Sequence, residues 1–149
     1  MNRDDILKLD NQICFAVYAC SREITKLYRP YLDEMGITYT QYVTLLALWE
    51  EDDMTVKRLG ERLYLDSGTL TPLLKKLEAA GLVERIRDPR DERNVRIRLT
   101  GPGVRLKEQA SGLPGRIVSR TGLSGVQVQS LHAGLNALLR NIHQPTREE

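Results

Sequence analysis

Apolar positions recur along most of this chain with the period of a helix. Between residues 10 and 35 they repeat close to every 3.6 residues, which predicts a long first helix that Gly36 ends. A second helix is predicted to begin after Thr38 or Thr40. Its apolar positions, within residues 42–49, form an unusually wide face.

The next predicted elements are short. The acidic run of residues 50–53 is expected to be a loop between two helices. Thr55 is a good N-cap residue, and the apolar side chains after it share one side of a short helix that reaches Leu63.

The pattern is clearest in residues 66–81. Asp66 and Ser67 are good N-caps, and Gly81 stands where a glycine commonly follows a helix. Pro72 has no backbone donor and is expected within or near the first turn. Four leucines form one stripe of this helix: Leu70, Leu73, Leu74 and Leu77.

Two extended segments follow, residues 82–87 and 95–99. Apolar and basic residues alternate in the second, which is the period-two pattern of a half-buried strand. The polar connection of residues 88–94 predicts a hairpin with a long tip.

Helical periodicity returns after this hairpin. One helix is predicted from Val104 to about Ser119, with a kink or break where Gly112, Pro114 and Gly115 fall. A last helix is predicted over residues 124–142. The terminal helices carry more apolar surface than a small central unit needs, which indicates a helical dimer interface.

Charge adds one asymmetry to an ordinary composition. Residues 55–98 hold 11 basic and 7 acidic side chains, a local charge of +4, whereas the rest of the chain holds 11 basic and 13 acidic, a charge of −2. This excess weakly indicates an anionic partner. No apolar run approaches the ~18 residues of a membrane span, and no secretory signal opens the chain, so we expect a soluble, cytoplasmic protein.

The residues that carry most enzyme chemistry are sparse. The two cysteines and two histidines lack metal-site spacing, and no phosphate-binding loop or nucleophile elbow is present. The sequence therefore predicts no metal site, no cofactor and no ordinary enzyme.

The order of elements predicts a fold that is mainly α with a small β-hairpin, a winged helix-turn-helix. A helix with a small, polar outer face can enter the major groove of DNA. The candidate groove residues are Ser67, Thr69, Thr71, Lys75 and Lys76, and the hairpin tip adds Arg90 and Arg93, which suit phosphate or a narrow minor groove. The alternative is an exposed amphipathic helix followed by a charged loop.

These residues also carry a family resemblance. Residues 65–78, followed by Gly81-Leu82-Val83 and by Asp91-Glu92-Arg93, resemble the MarR family of bacterial transcription regulators. Three further segments resemble its organic-hydroperoxide-sensing branch, the OhrR repressors: residues 11–15, Tyr28-Arg29-Pro30 and residues 36–42. The resemblance covers roughly residues 7–118.

The resemblance implies a homodimer that binds a pseudo-palindromic DNA operator. It implies a winged helix at about residues 37–100, within one domain of residues 1–149, and dimerisation helices at about 7–35 and 103–143. It also implies that Arg93 enters the minor groove and that Asp91 orients it. Lys75, Lys76 and Arg90 are then candidates for phosphate contacts.

Cys14 has two interpretations. It is either a buried structural thiol or a peroxide-sensing nucleophile, which needs thiolate character and access. A cap at Asp10 or Asn11 places it in the first helical turn, where the helix dipole favours a thiolate. The resemblance favours the sensor, and it implies that Tyr28 and Tyr39 hydrogen-bond the cysteine, although both tyrosines also suit ordinary core packing.

Helix geometry limits how these residues meet. Tyr28 lies 14 positions beyond Cys14, about 21 Å along one helix, so a contact between them has to come from a second subunit. Cys20 is rotated by roughly 240° and displaced by ~9 Å from Cys14, which excludes a disulfide within the helix. No cysteine follows Cys20, so the chain resembles the one-cysteine repressors.

The sequence thus predicts a repressor that releases DNA when an organic hydroperoxide oxidises Cys14, with a small cellular thiol as the oxidation partner. Two alternatives stay open. One is a MarR-type regulator released by a small phenolic ligand, and the other is a cysteine peroxidase in which Cys14 turns over substrate.

Overall fold

Helices make up most of the chain, and one small antiparallel sheet lies between them in sequence. The computed structural model describes residues 2–144, apart from the side chains of Glu92 and Arg93. The chain divides into two compact units, of which the first ends at Leu113 and the second begins at Pro114.

The N-terminal segment is more broken than predicted. A single-turn helix α1 (Arg3–Ile6) and a 3-10 turn (Leu9–Asn11) precede the long helix α2 (Ile13–Met35). The predicted start at Asp10 is therefore wrong. Gln12 is the N-terminal cap residue, and its side-chain amide donates to the carbonyl oxygens of Ile6 and Lys8 at 2.7 and 2.9 Å.

The predicted end of α2 and start of the next helix are both confirmed. Gly36 follows Met35 with φ of 71°, a left-handed conformation that glycine adopts without steric cost. Helix α3 (Tyr39–Glu50) begins with a capping box, in which the Thr38 hydroxyl accepts from the Gln41 amide and the Gln41 side chain accepts from the Thr38 amide.

Thr55 has two structural roles, of which the sequence indicated one. It caps helix α4 (Val56–Leu63), with its hydroxyl accepting from the Arg58 amide at 3.1 Å. It also belongs to a strand that was not predicted, β1 (Met54–Thr55). Two residues are too few to show a periodic pattern, so only pairing with another strand defines β1.

Helix α5 (Ser67–Ala79) follows its prediction closely. The Asp66 carboxylate accepts from the Thr69 amide at 2.7 Å, and Gly81 adopts φ of 76° just beyond the helix. Pro72 lies in the second turn instead of the first. The predicted leucine stripe is buried, with no member more than 9% exposed: Leu70, Leu73, Leu74 and Leu77.

Strands β2 (Val83–Asp88) and β3 (Asp91–Leu99) form the hairpin, and β1 pairs with the other edge of β3. The regular pairing ends at Arg87 opposite Val95, which agrees with the predicted connection of residues 88–94. Within that connection the predicted long tip is shortened, because Asp88 pairs with Asp91 and only Pro89 and Arg90 form the turn. The Asp88 side chain accepts from the Arg90 amide at 2.9 Å. An aspartate followed by proline is the usual start of such a tight turn.

The hairpin carries an irregularity near this turn. Arg87 pairs with Val95 and Asp88 pairs with Asp91, so residues 92–94 are extra on the β3 side. A bulge of this kind bends a strand locally.

Three helices complete the chain: α6 (Gly101–Ala110), α7 (Leu113–Thr121) and α8 (Gly125–His143). The predicted break lies between α6 and α7. Helix α6 begins three residues earlier than predicted, because Pro102 fits the first turn, where its missing amide costs no helical hydrogen bond. Ser124 caps α8 in a second capping box, with Gln127.

The core of the first unit lies among α3, α4, α5 and β3. Several of its side chains are at most 1% exposed: Leu45, Leu48, Leu59, Leu70, Leu74, Leu77 and Ile97. The order from α3 to β3 is that of a winged helix-turn-helix, with α5 as the second helix and the β2–β3 hairpin as the wing. Within residues 2–144 no helix has the length and apolar character to cross a bilayer.

The terminal helices expose apolar side chains instead. On α2 these include Ile13 at 75% and Tyr18 at 57% exposure. On α8, Val126 is 77% and Ile142 65% exposed, and leucines between them are more than a third exposed.

Gly103 provides a test of how closely α6 packs on the start of the wing. A Cβ at this position would lie 2.1 Å from the Leu82 carbonyl oxygen, and the Gly103 carbonyl accepts from the Trp49 indole at 2.9 Å.

We expect Gly103→Ala to lower the free energy of unfolding, measured by urea denaturation, by about 2 kcal/mol, because backbone atoms cannot move aside easily to admit the methyl group. Gly112→Ala, with no atom within 4 Å of the new methyl group, should leave stability within about 0.5 kcal/mol of wild type. Equal stability of the two variants would contradict this close packing.

Candidate nucleic-acid interface and redox site

The outer face of α5 is polar because its leucines occupy the opposite face. Ser67, Thr69, Lys75 and Lys76 are exposed there. Short hydroxyl groups and flexible cations are the side chains that a helix can present to base edges and phosphates without steric conflict.

Thr71 differs from the other predicted α5 residues. It is half-buried and, with Val56, Leu74, Arg85 and Val95, lines a cavity of about 210 Å³ between α5 and the wing. Its hydroxyl is therefore nearer to the wing side of α5 than to the centre of the outer face.

The wing presents its predicted residues around the tight turn. Arg90 lies in the turn and is exposed, and Asp91 is the exposed first residue of β3. The side chain of Arg93 lies outside the described part of the structure, so its predicted orientation by Asp91 stays a prediction.

Ion pairs divide the basic residues into two groups. Four arginines pair with the acidic residues at the end of α3 and directly after it: Arg58 with Glu51 at 2.8 Å, Arg62 with Glu50 at 2.7 Å, and Arg96 and Arg98 with Asp53 at 2.9 and 3.7 Å. Hydrogen bonds from Arg58 and Arg96 hold the pKa values of Glu51 and Asp53 below their usual range. The loop that was predicted only as a connection is thus an electrostatic partner of α4 and β3.

The second group of cations has no ion-pair partner among the described side chains. Lys75, Lys76, Arg87 and Arg90 form no ion pair with any residue in the described part of the chain. All four lie on α5 or the wing. The local excess of positive charge is therefore available at the elements that a winged helix places on DNA.

One further ion pair fastens the wing to α5. Arg85 of β2 donates from its guanidinium and from its backbone amide to the Glu78 carboxylate, each at 3.2 Å. Because Glu78 is on α5, this contact joins the helix and the wing into one surface.

Cys14 is exposed in the first turn of α2. Asp10 and Asn11, predicted as its caps, instead lie in the preceding 3-10 turn. The positive end of the helix dipole still faces the thiol. Cys20 is also exposed and lies on the same helix.

Tyr28 and Tyr39 contact each other, with ring centroids 5.0 Å apart. Tyr42 packs against both, at 5.6 Å from Tyr28 and 6.2 Å from Tyr39. Tyr42 is 2% exposed, and the sequence pattern placed it only on the apolar face of α3. The signal that identifies it is its spacing, since positions 39 and 42 lie on adjacent turns of one helix face.

Cys14 is not part of this tyrosine cluster within one chain. Both Cys14 and Tyr28 belong to α2, so they are separated by about 21 Å along the helix axis. The predicted contact between them therefore needs a second copy of the chain.

Burial dominates the ionisation of the cluster. It raises the pKa of Tyr28 to about 12, with smaller contributions from repulsion by Tyr42 and Tyr39. The pKa of Tyr42 is also raised, by burial and then by Tyr39. A tyrosine that ionises near 10 when unfolded and near 12 when folded lowers stability as pH rises through that interval. At neutral pH the hydroxyl groups of Tyr28 and Tyr42 therefore stay protonated and remain donors.

Within residues 2–144 no group of three or more His, Cys, Asp and Glu side chains is arranged to hold a metal ion.

Comparison with known proteins relates the whole chain to one family. Residues 37–95 match the MarR family model. The organic hydroperoxide resistance transcriptional regulator of Bacillus subtilis (strain 168) is 52% identical over 143 residues, which cover 96% of this chain and 97% of that protein. Among solved structures, reduced AbfR bound to DNA is 35% identical with a TM-score of 0.77, covering 96% of this chain and 100% of AbfR. AbfR is a Staphylococcus epidermidis protein, and its overoxidized form bound to DNA aligns with a TM-score of 0.76.

The fold and these likenesses define a winged-helix protein. The chain belongs to the MarR family, as its residues implied.

The tyrosine cluster can be tested through Tyr28. Tyr42→Phe keeps the ring but removes the ionisable group whose phenolate form repels a Tyr28 phenolate. We expect the pKa of Tyr28 to fall from about 12 toward its ordinary value without reaching it, because burial is the larger cause. NMR titration of ¹³C-labelled tyrosine measures this shift. Tyr64→Phe changes an exposed tyrosine beyond α4 and should leave the pKa of Tyr28 unchanged. An unaltered pKa of Tyr28 in the Tyr42→Phe variant would contradict the coupling between the two tyrosines.

Proposed function

We propose that this chain is a dimeric transcriptional repressor that binds operator DNA and releases it when an organic hydroperoxide oxidises Cys14. The observation that carries the proposal is the exposed position of Cys14 in the first turn of α2, in a chain whose winged helix has unpaired cations. The likeness to a Bacillus subtilis organic hydroperoxide resistance regulator supports the choice of oxidant.

DNA binding is supported by the surface of α5 and the wing. Helix α5 enters the major groove, with Ser67 and Thr69 near base edges and Lys75 and Lys76 near phosphates. Arg90 and Arg93 of the wing approach the adjacent minor groove. In a symmetric dimer two such surfaces meet half-sites about 34 Å apart, which requires a pseudo-palindromic operator.

Dimerisation is supported by the exposed apolar side chains of α2 and α8. Large apolar groups such as Ile13 and Val126, each at least three-quarters exposed, are unfavourable in water and are stabilised when a partner covers them. A second copy also brings the Tyr28–Tyr39 pair of one subunit to Cys14 of the other, which the length of α2 prevents within one chain.

Oxidation follows from ordinary thiol chemistry. The Cys14 thiolate attacks the terminal oxygen of the hydroperoxide, the O–O bond breaks, and the alkoxide leaves and takes a proton, giving sulfenic acid and an alcohol. The hydroxyl groups of Tyr28 and Tyr39 donate hydrogen bonds toward the sulfur and the departing oxygen. A low-molecular-weight thiol then condenses with the sulfenic acid, forming a mixed disulfide and water.

The mixed disulfide is the species that releases DNA. A sulfenic acid adds a single oxygen atom, whereas a thiol adduct introduces a bulky group at a packed interface, which typically costs about 1–3 kcal/mol. The related AbfR forms a DNA complex in its overoxidized state, which supports the view that added oxygen atoms alone are insufficient for release. The winged helix and the likeness to transcriptional regulators favour a cytoplasmic sensor over a peroxidase.

Cys14→Ser is expected to bind DNA like wild type and to keep it after addition of cumene hydroperoxide, because serine cannot form a sulfenic acid. Fluorescence anisotropy with an operator duplex, followed by intact-protein mass spectrometry, measures release and the Cys14 adduct together. Adding a small thiol with the peroxide should make wild-type release more complete. Cys20→Ser is the matched control and should respond like wild type, whereas release from Cys14→Ser would show that another residue is the sensor.

Arg93→Ala is expected to weaken operator binding by about 1–3 kcal/mol while the dimer stays intact, because the arginine contacts a narrow minor groove. Gel-shift titration at fixed salt measures the loss, and size-exclusion chromatography checks the dimer. Arg105→Ala, at an exposed arginine on α6, removes the same charge away from α5 and the wing. Equal affinity of Arg93→Ala and Arg105→Ala would exclude the wing from DNA binding.

A further inference from the structure

The turn before β1 contacts the wing strand β3. The proposed function gives no role to the residues of this turn. Asp53 in this turn has φ of 60°, a left-handed conformation that is uncommon outside glycine. Its carboxylate accepts from Nε of Arg96 at 2.9 Å, and its backbone carbonyl accepts from Nη2 of the same guanidinium. Nη2 of Arg98 lies 3.7 Å from the second carboxylate oxygen.

These contacts are concentrated where the sheet is weakest. Strand β1 has two residues, and its pairing with β3 consists of Met54 opposite Ile97 and Thr55 opposite Arg96. Ile97 is fully buried, while Arg96 and Arg98 on either side of it are exposed on the other face of β3. The neighbouring Asp52 carboxylate also accepts from the Leu99 amide, at 2.9 Å.

The same turn leads directly into the helix-turn-helix. Thr55, two residues beyond Asp53, caps α4, and α4 leads to α5. The direction of the wing and the start of α4 are therefore set from one short segment.

We propose that Asp53 is a positioning residue that sets the angle of the wing relative to α5 by holding Arg96. The inference rests on the proposed DNA-binding function and deepens it, because Arg96 acts through the geometry of the wing and not as a phosphate contact.

A small movement at this point reaches the end of the wing. Arg96 pairs with Ile86 and Asp91 pairs with Asp88, so the end of the wing lies two residues of β2, or about 7 Å, beyond Arg96. A rotation of about 10° at Arg96 moves the end of the wing by about 1 Å, which is enough to lengthen a hydrogen bond to DNA beyond its usual range. The Arg85–Glu78 pair holds the opposite edge of the wing, so loss of the Asp53 contact leaves the wing attached on one side.

Simple electrostatics predicts the opposite result for the loss of this carboxylate. Removing a negative charge from a DNA-binding surface, and freeing Arg96 and Arg98, should tighten binding to a polyanion. A positioning role predicts weaker binding. The sign of the change in affinity therefore distinguishes the two.

Asp53→Asn is the variant that isolates the carboxylate, since asparagine has the same shape and tolerates a left-handed backbone. We expect its affinity for a duplex selected by the reduced wild-type protein from a random-sequence library to fall about tenfold, the size of one lost specific contact. Glu61→Gln, at an exposed carboxylate of α4, is the charge-matched control and should bind as tightly as wild type or more tightly. The thermal unfolding temperature of Asp53→Asn should be the same as that of the wild type, because an exposed ion pair contributes little to stability.

A double-mutant cycle tests whether Asp53 acts through Arg96. Arg96→Gln should weaken binding by the same factor as Asp53→Asn, and the double variant should bind no more weakly than either single variant. A second duplex has G·C pairs in place of A·T pairs beneath the wing. The ratio of the affinities for the two duplexes is a readout that general destabilisation of the protein does not change. The wild type should prefer the A·T duplex, and Asp53→Asn should lose most of that preference.

Unchanged or tighter binding by Asp53→Asn would overturn the proposal. So would additive losses in the double variant, or equal weakening on both duplexes with the preference retained. If the wild-type protein selects no duplex from the library, the proposed function itself fails and this inference fails with it. Tight wild-type binding with an unaffected Asp53→Asn variant removes only the role of Asp53.

Discussion

Burial of the leucine stripe of α5 is the interaction on which the rest of the structure depends. Leu70, Leu74 and Leu77 are at most 1% exposed, together with Ile97 of the wing strand. Because one face of α5 is buried in this core, the polar residues between the leucines lie on the outer surface of the helix. The same packing places strand β2 against the helix, where the Arg85–Glu78 contact also joins them. The hydrophobic effect thus turns the polar face of α5 outward, where it is suited to DNA.

Charge pairing then determines which cations that surface offers. Most of the carboxylates that compensate the basic excess of residues 55–98 lie just before that segment, at the end of α3 and directly after it. Glu50, Glu51 and Asp53 neutralise arginines of α4 and β3. Among the described side chains of residues 55–98, four of the five cations without an ion pair lie on α5 or the wing, and the fifth is Lys57 of α4. Counting charges along the sequence detects the excess but cannot distinguish a paired arginine from an available one.

The rigidity of α2 imposes a different constraint. A helix rises about 1.5 Å per residue, so an exposed cysteine in its first turn and a tyrosine cluster near its end cannot meet in one chain. Any chemistry that needs both has to form between two subunits. Oxidation at such a contact then changes an interface, and an interface between two DNA-binding units is where a local reaction can alter their separation.

The sequence by itself determined the elements whose signals are local. Neighbouring residues determine the capped helix of residues 66–79, the glycines at 36 and 81 that follow helices, and the position of Cys14 in a first helical turn. Local motifs also identified the family. Only the tertiary structure decided the features that depend on distant partners. Strand β1 exists because β3 pairs with it, Tyr42 joins Tyr28 and Tyr39 because α2 packs on α3, and Asp53 holds Arg96 across 43 positions of chain. The hairpin turn shows the same limit, since its length depends on the register of two strands, and register is set by pairing that no local pattern records.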